Sequence, residues 1–368
     1  MSFRFRLRTL FVVSIVLAIP IAWIGAVVRE ARLRERILHE IERRGGTVTL
    51  VPPSEPLSLA GQVRRQLCGE KAAATVWKID LFGKHIQDQD LAVLEDLGHV
   101  NGLSLQGTRV TDAGIHKLGV LSTLRYISLE STEISNAGID VLVERLPELE
   151  YVDLSGTRVS DAVVPIVARL QKLRSLDLSD TNLQQPDFEA LHGLPGLTGL
   201  RLSAPKGAMH LERLPSLEIL DVRLVHSSQS VRLVQIPKIR KLSIASSEIH
   251  LEHLGALREL TIYDSSFEEF TISHLPNLEA LKLVGSHVDQ GALAELVACS
   301  KLREITLDTC TFALRDLGGL SAYKNLERVV LEGPGIAEDD VRDLRLKLSK
   351  VQVEWRPPSE KPLLREDR

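Results

Sequence analysis

The sequence predicts an α/β solenoid, a stack of short repeats sharing one parallel sheet on a concave side. Three observations predict it. Within 124–159 one pattern runs twice, as Leu124-x-x-Ile127-x-Leu129-x-x-Thr132-x-Ile134 and Leu149-x-x-Val152-x-Leu154-x-x-Thr157-x-Val159. Both copies continue into a near-identical tag, Ser131-Thr132-Glu133-Ile134-Ser135-Asn136-Ala137-Gly138 and Gly156-Thr157-Arg158-Val159-Ser160-Asp161-Ala162. A third copy, Gly107-Thr108-Arg109-Val110-Thr111-Asp112-Ala113-Gly114-Ile115, precedes them. Third, the pattern restarts at Val76, Val100, Leu124, Leu149, Leu173, Leu197, Leu217, Ile239, Leu257, Leu278, Leu302 and Leu326, giving about twelve repeats with a last strand near Val351.

The repeat explains its own residues. Positions one, four and six alternate as a short strand, so their apolar side chains point into the stack and the intervening ones face solvent. Position nine is Thr108, Thr132, Thr157 and Thr181, then Ser247, Ser265, Ser286 and Cys310. A hydroxyl or thiol there satisfies backbone groups where the chain leaves the strand. No repeat folds alone: some seven buried apolar side chains contribute roughly 10–20 kcal/mol. Ordering about 24 residues costs ~1–2 kcal/mol each, so neighbours must stack. This pattern resembles the leucine-rich repeat family. Its tag is similar to that of bacterial membrane-anchored members with a GTxVTDAG-type repeat and Thr at the ninth position. The resemblance implies a horseshoe that serves in protein recognition or scaffolding, without a cofactor.

Ahead of the repeats lie a basic tail (1–9), an uncharged apolar run (10–28), a charged stretch (29–46) and a cap (47–75). Nineteen apolar residues of helix span about 28 Å, which predicts a transmembrane helix. Arg29 follows the run directly with no small-x-small site before it, favouring a retained signal-anchor over a cleaved signal peptide. Arg4, Arg6 and Arg8 favour a cytoplasmic amino terminus, although Arg29, Arg32, Arg34 and Arg36 press the other way. The expectation is therefore a single-pass cell-membrane protein with an extracytoplasmic repeat domain. The charged stretch reads as a solvated helical stalk ended by Gly45-Gly46. Residues 47–51 alternate as a strand and 59–68 read as a short helix, with 59–81 resembling the capping region of membrane-anchored bacterial repeat proteins.

Repeats span 76–355, and 356–368, rich in Pro and charge, reads as a disordered tail. Helical runs are predicted on the convex side at 161–170 and 290–298. Between Leu197 and Leu278 the spacing drops and the convex segments read as extended, as in 267–272. There Pro205 and Val225 replace the ninth-position hydroxyl, and Gly207 and Ser227 the eleventh-position hydrophobe.

Composition narrows function. The net charge is −4 and aromatics are 4%, which excludes a general nucleic-acid binder and an extended stacking surface. Cys68, Cys299 and Cys310 have no disulfide or zinc spacing and read as buried, reduced thiols. No phosphate loop, nucleophile elbow or zinc helix is present, and Gly333-Pro334-Gly335 reads as a turn. His250-x-x-His253 lacks a third ligand. Asp153 and Asp177 stack at position five, where paired carboxylates could act as a hydrolytic acid and base. With Arg174 and Arg201 beside them, a solvated charge ladder fits better.

No catalytic or metal site is therefore expected. The one candidate surface is a concave protein-binding patch of Tyr126, Tyr151, Arg125, Arg174, Glu130, Asp153, Asp177 and Arg201, because exposed aromatic and Arg groups are what binding hot spots contain. Its expected partner is a protein, with the bilayer engaged through 10–28 and no nucleic acid. The competing class is a structural envelope protein that binds polysaccharide or self-associates.

Overall fold

A computed structural model describes residues 7–52, 57–83, 85–203, 209–223, 230–245, 248–263, 269–273, 275–288, 299–312, 316–333 and 338–356, with the side chains of the first helix from Val16 onward. The chain divides into two units, Met1–Val152 and Asp153–Arg368.

The first unit opens on helix α1 (Leu7–Arg43), which carries Pro20 inside it. Among the described residues no helix is long and apolar enough to cross a membrane. The apolar run 10–28 begins outside the described side chains, and its described part, 16–28, covers only about 20 Å. Val16, Leu17, Ile19 and Ile21 are exposed there.

The charged half of α1 is helical as predicted, but it is not a solvated stalk. Ala31, Ile37 and Ile41 are buried, because the helix packs on α2 (Leu59–Cys68) and strand β1 (Thr47–Val51). Polar clamps hold it there. Arg64 pairs with Glu30 at 2.7 Å, Arg34 donates to the Ala74 carbonyl, and Arg44 joins Glu40 and Asp90. Three- and four-residue spacing leaves one apolar stripe on an otherwise charged helix, and the open end of the repeat core is what that stripe covers.

After the short α3 (Glu70–Ala73), β1 pairs antiparallel with β2 (Thr75–Asp80). The parallel strands β3 (Gly102–Ser104), β4 (Tyr126–Ser128) and β5 (Tyr151–Asp153) follow. Their register sets Lys78 beside Gly102 and Gly102 beside Tyr126. Tyr151 then donates its N–H to the Arg125 carbonyl at 2.9 Å, as Tyr126 does to Asn101 at 3.0 Å.

The tag residues acquire physical roles on the return side. Thr111 caps α4 (Asp112–Ile115) through Ala113 N–H, and Ser135 caps α5 (Asn136–Arg145) through Ala137 N–H. Each cap is itself held by the preceding repeat. Asp88 accepts from Thr111 N–H and O–H at 2.8 and 2.7 Å, and Asp112 accepts from Ser135 N–H and O–H at 2.8 and 2.5 Å. A Cβ on Gly114 or Gly138 would collide with the Asp88 or Asp112 carboxylate. The Thr-Asp-Ala-Gly order is thus a link between neighbouring repeats.

In the second unit, α6 (Val163–Val167) is only five residues long, half of the predicted run. The strands are β6 (Ser175–Leu178), β7 (Gly199–Ser203), β8 (Met209–Glu212), β9 (Ile219–Arg223), β10 (Ser230–Val234), β11 (Lys241–Ala245), β12 (Glu248–Glu252), β13 (Glu259–Tyr263), β14 (Glu269–Ser273), β15 (Ala280–Val284), β16 (His287–Val288), β17 (Glu304–Asp308), β18 (Thr311–Phe312), β19 (Arg328–Glu332) and β20 (Gln352–Arg356), with α7 (Glu338–Lys347) before the last. The main sheet runs β6-β7-β9-β11-β13-β15-β17-β19-β20. The predicted extended return segments form a second parallel sheet, β8-β10-β12-β14, because repeats this short have no room for a helix. Pro205, Gly207, Val225, Ser227, Ser247, Ser265, Pro334, the run 290–298 and the tail from 357 lie outside the described residues.

The ninth-position reading holds in both units. Thr108, Thr132, Thr157 and Thr181 donate to carbonyls three residues back at 2.6–2.7 Å. Ser286 bonds the Val284 carbonyl at 3.1 Å, and the Cys310 thiol bonds that of Leu283 at 3.3 Å. Position eight is left-handed at Gly107, Ser131, Gly156, Asp180, Gly285 and Thr309. All three cysteines are free, but only Cys299 is buried; Cys68 and Cys310 are half-buried. Burial pushes the Cys299 thiol up to about 11, so it stays protonated at neutral pH.

Candidate functional site

Two columns of side chains cross the start of β2, β3, β4 and β5, at positions two and three of the repeat. In the first unit they read Trp77-Lys78, Asn101-Gly102, Arg125-Tyr126 and Glu150-Tyr151. Together these eight residues line a cleft of about 600 Å³. It exists because one repeat is cut low. Asn101 and Gly102 are short, whereas bulky pairs rise on either side.

A Cβ on Gly102 would stand 3.1 Å from Lys78 Cγ and 3.5 Å from Tyr126 Cδ1, so the missing side chain opens the floor. Trp77 is 51% exposed and Tyr151 44%, and Tyr126 is half-buried between them and its strand. The chain has three Trp and four Tyr, and three of these seven line this one cleft. Lys78 Nζ lies 5.2 Å from the centre of the Tyr126 ring and 2.6 Å from Asp80 Oδ1. Arg125 pairs with Glu150 at 3.1 Å across neighbouring strands. The charges of the cleft are therefore matched internally, and its exposed surface is rings, the Asn101 amide and the paired Arg125.

The eight residues of the predicted patch divide between the units. Arg125, Tyr126 and Tyr151 come together in the cleft, and Glu130 follows β4 in the same unit but does not line it. Asp153, Arg174, Asp177 and Arg201 belong to the second unit. Asp153 accepts from Ser155 N–H and O–H at 3.0 and 2.6 Å. Asp177 accepts from Ser179 N–H at 2.9 Å and pairs with Arg201 at 3.2 Å, and Arg201 reaches Asp221 at 3.9 Å. Carboxylates committed to strand-end turns and to Arg form a charge ladder.

The sequence reading missed Trp77, Lys78, Asn101, Gly102 and Glu150. The signal was present: repeats starting at Val76, Val100 and Leu149 place all five at positions two and three. His250 lies on β12 of the return sheet and His253 has a positive φ of 59°. Among the described residues no group of three or more His, Cys, Asp or Glu could hold a metal ion.

A family model described as leucine-rich repeat region matches residues 79–337. Among solved structures, an internalin from Listeria monocytogenes superposes with a TM-score of 0.52 at 17% identity, covering 88% of this chain and 94% of that one. A leucine-rich repeat protein of Leptospira interrogans gives a TM-score of 0.45 at 18% identity over 82% and 93% of the two chains. No curated protein sequence matches significantly. At 17% identity the internalin speaks for the fold alone.

Proposed function

Because the chain belongs to the leucine-rich repeat family, we propose that it is a protein-recognition module whose contact surface is the cleft over β2 to β5. The observation that carries this reading is the clustering of Trp77, Tyr126 and Tyr151 around a floor lowered by Gly102. Rings held on a rigid sheet lose little freedom on binding and present large apolar area, which is what anchors an interface. The cleft is far too small to be a whole interface, so it serves as the pocket at the centre of one.

The test is a double substitution, Tyr126→Ala with Tyr151→Ala. Partner capture by the full chain should fall at least about tenfold, the loss ordinary for a hot-spot aromatic, with an unchanged thermal midpoint. Capture that survives both substitutions removes the cleft from the interface.

The second part of the proposal is attachment. Residues 10–28 anchor the chain in the cell membrane and hold the repeats on the extracytoplasmic side. Support comes from the uncharged run in the sequence and from the exposure of Val16, Leu17, Ile19 and Ile21 along α1. Protease added to intact cells should digest the repeats. Protection that persists until the cells are permeabilised reverses the orientation, and a soluble, released domain removes the anchor.

A further inference from the structure

Resting on the reading of the cleft as a recognition pocket, we infer that its occupant is a proline-rich segment of the partner protein in the polyproline II conformation. Three features of the cleft select this ligand.

The first is the supply of hydrogen-bonding groups. Both nearby carboxylates are engaged, Asp80 by Lys78 and Glu150 by Arg125. Among the described residues the indole N–H of Trp77 and the side-chain amide of Asn101 have no protein partner. The groups left over are chiefly donors. A proline-rich chain is the complement, because its carbonyls stay unpaired in polyproline II and each Pro lacks an N–H. A neutral sugar fits less well: every hydroxyl is a donor needing an acceptor, and with both carboxylates engaged the open part of the cleft offers chiefly Asn101 Oδ1 and the Tyr151 hydroxyl.

The second feature is spacing. The raised pairs on β2 and β4 stand two strands apart, about 9.6 Å, with the low Asn101-Gly102 step between them. Polyproline II repeats every three residues, about 9.3 Å. A segment running across the strands therefore places residues i and i+3 in step with the two raised pairs, Trp77-Lys78 and Arg125-Tyr126, and its ridge drops over Gly102. Apolar pyrrolidine rings against Trp and Tyr faces is the contact by which aromatic-lined grooves take such segments.

The third feature excludes the commonest alternative mode. An extended peptide joining a sheet needs an unpaired edge. Here β2 is paired by β1 and β3, β3 by β2 and β4, and β4 by β3 and the Arg125–Tyr151 bond. The occupant must bind by side-chain faces, as polyproline II does.

The probe is a capped, fluorescently labelled decaproline peptide titrated into the full chain in mild detergent and read by anisotropy. Saturable binding is expected, weakened about tenfold or more by Trp77→Ala, the usual loss for a buried aromatic anchor. Gly102→Thr should weaken it similarly, since a β-branched residue suits the strand but fills the floor. Lys282→Ala, on the sheet face of the second unit, should leave binding unchanged, and melting curves identify any variant that fails to fold. Absence of saturable binding overturns the inference, as does binding indifferent to Trp77→Ala. Uptake of cellohexaose in place of decaproline overturns it in favour of a glycan. If a protein partner still depends on Tyr126 and Tyr151 while decaproline is ignored, the recognition reading stands and the polyproline assignment alone falls.

Discussion

The two units build their sheet faces from the same backbone and use them in opposite ways. In the first, positions two and three carry Trp77, Tyr126 and Tyr151 around a gap. In the second, positions two to seven carry a ladder of cross-strand ion pairs. Lys241 meets Glu259 at 2.9 Å, Arg258 meets Glu279 at 3.3 Å and Lys282 meets Asp308 at 2.9 Å. Arg328 lies between Glu304 at 3.3 Å and Glu354 at 2.7 Å, and Arg356 meets Glu332 at 2.7 Å. Charges opposite one another at strand spacing satisfy themselves and leave little unpaired for a partner. The first face offers rings and spare donors. Under the proposed reading, the first face is the one that meets a partner and the second is not.

The return sides differ as sharply, and the largest expected effect tests that. Gly138→Val forces a side chain into the Asp112 carboxylate, which holds both groups of the Ser135 cap. Overpacking and the loss of charge-assisted bonds should together cost about 3 kcal/mol in denaturant unfolding. Gly255→Ala, in the second unit, meets nothing within 4 Å and should change stability by less than about 1 kcal/mol. Equal losses at the two glycines would mean that the Asp-to-cap link is not what the first unit depends on.

How much of this could be read beforehand follows from the kind of information involved. Strand positions such as Ile127 and Leu129 were legible because burial demands apolar residues at a fixed period. So were the ninth-position hydroxyls, since a turn leaves a known carbonyl to satisfy. Three of the eight cleft residues were legible too: Arg125, Tyr126 and Tyr151 announce themselves as large residues at solvent-facing positions. The cleft itself was not, because Gly102 acts by what it lacks, and an absent side chain matters only beside Lys78 and Tyr126. The docking of α1 was hidden for a similar reason. Ala31, Ile37 and Ile41 are a thin stripe among charges, and only the uncovered end of the repeat core gives that stripe a purpose.

Position eight supplies a smaller, opposite-signed test. It is Gly at 107, 156 and 285 but Thr at 309, where φ is 52°. A β-branched residue in the left-handed region costs roughly 1–2 kcal/mol, partly offset by the freedom that Gly regains on unfolding. Thr309→Gly should therefore stabilise the second unit by about 0.5–1 kcal/mol, seen as a higher denaturant midpoint. A lower midpoint would show that the Thr309 hydroxyl, bonded to the Asp308 carbonyl at 2.7 Å, outweighs the backbone strain.

Weaker still is any one rung of the ladder. Arg258 and Glu279 are largely exposed, and exposed pairs are worth about 0–1 kcal/mol. A double-mutant cycle with Ala at both should give a coupling below about 0.5 kcal/mol that fades with salt, and neither change should alter partner capture. A coupling of several kcal/mol would make the second face structural in its own right. Lost capture would make it part of the interface and dissolve the contrast between the units.

The smallest effect is local and depends on pH. A hydrogen bond from Arg328 holds the Glu354 carboxyl below the usual carboxylate range, with the charges of Arg328 and Arg356 acting the same way. A carboxylate lowered on folding stabilises the native state above its unfolded pKa, about 4.3, and that contribution is lost as pH falls through the lower folded value. Backbone amides of β20 should therefore lose hydrogen-exchange protection, after correction for intrinsic rates, as pH drops below about 4. Glu354→Gln cannot ionise, so β20 should be less protected at pH 7 and nearly indifferent to acid. A variant that still loses protection on acidification would move the sensitivity to another rung, with Glu332 beside Arg356 the next to replace.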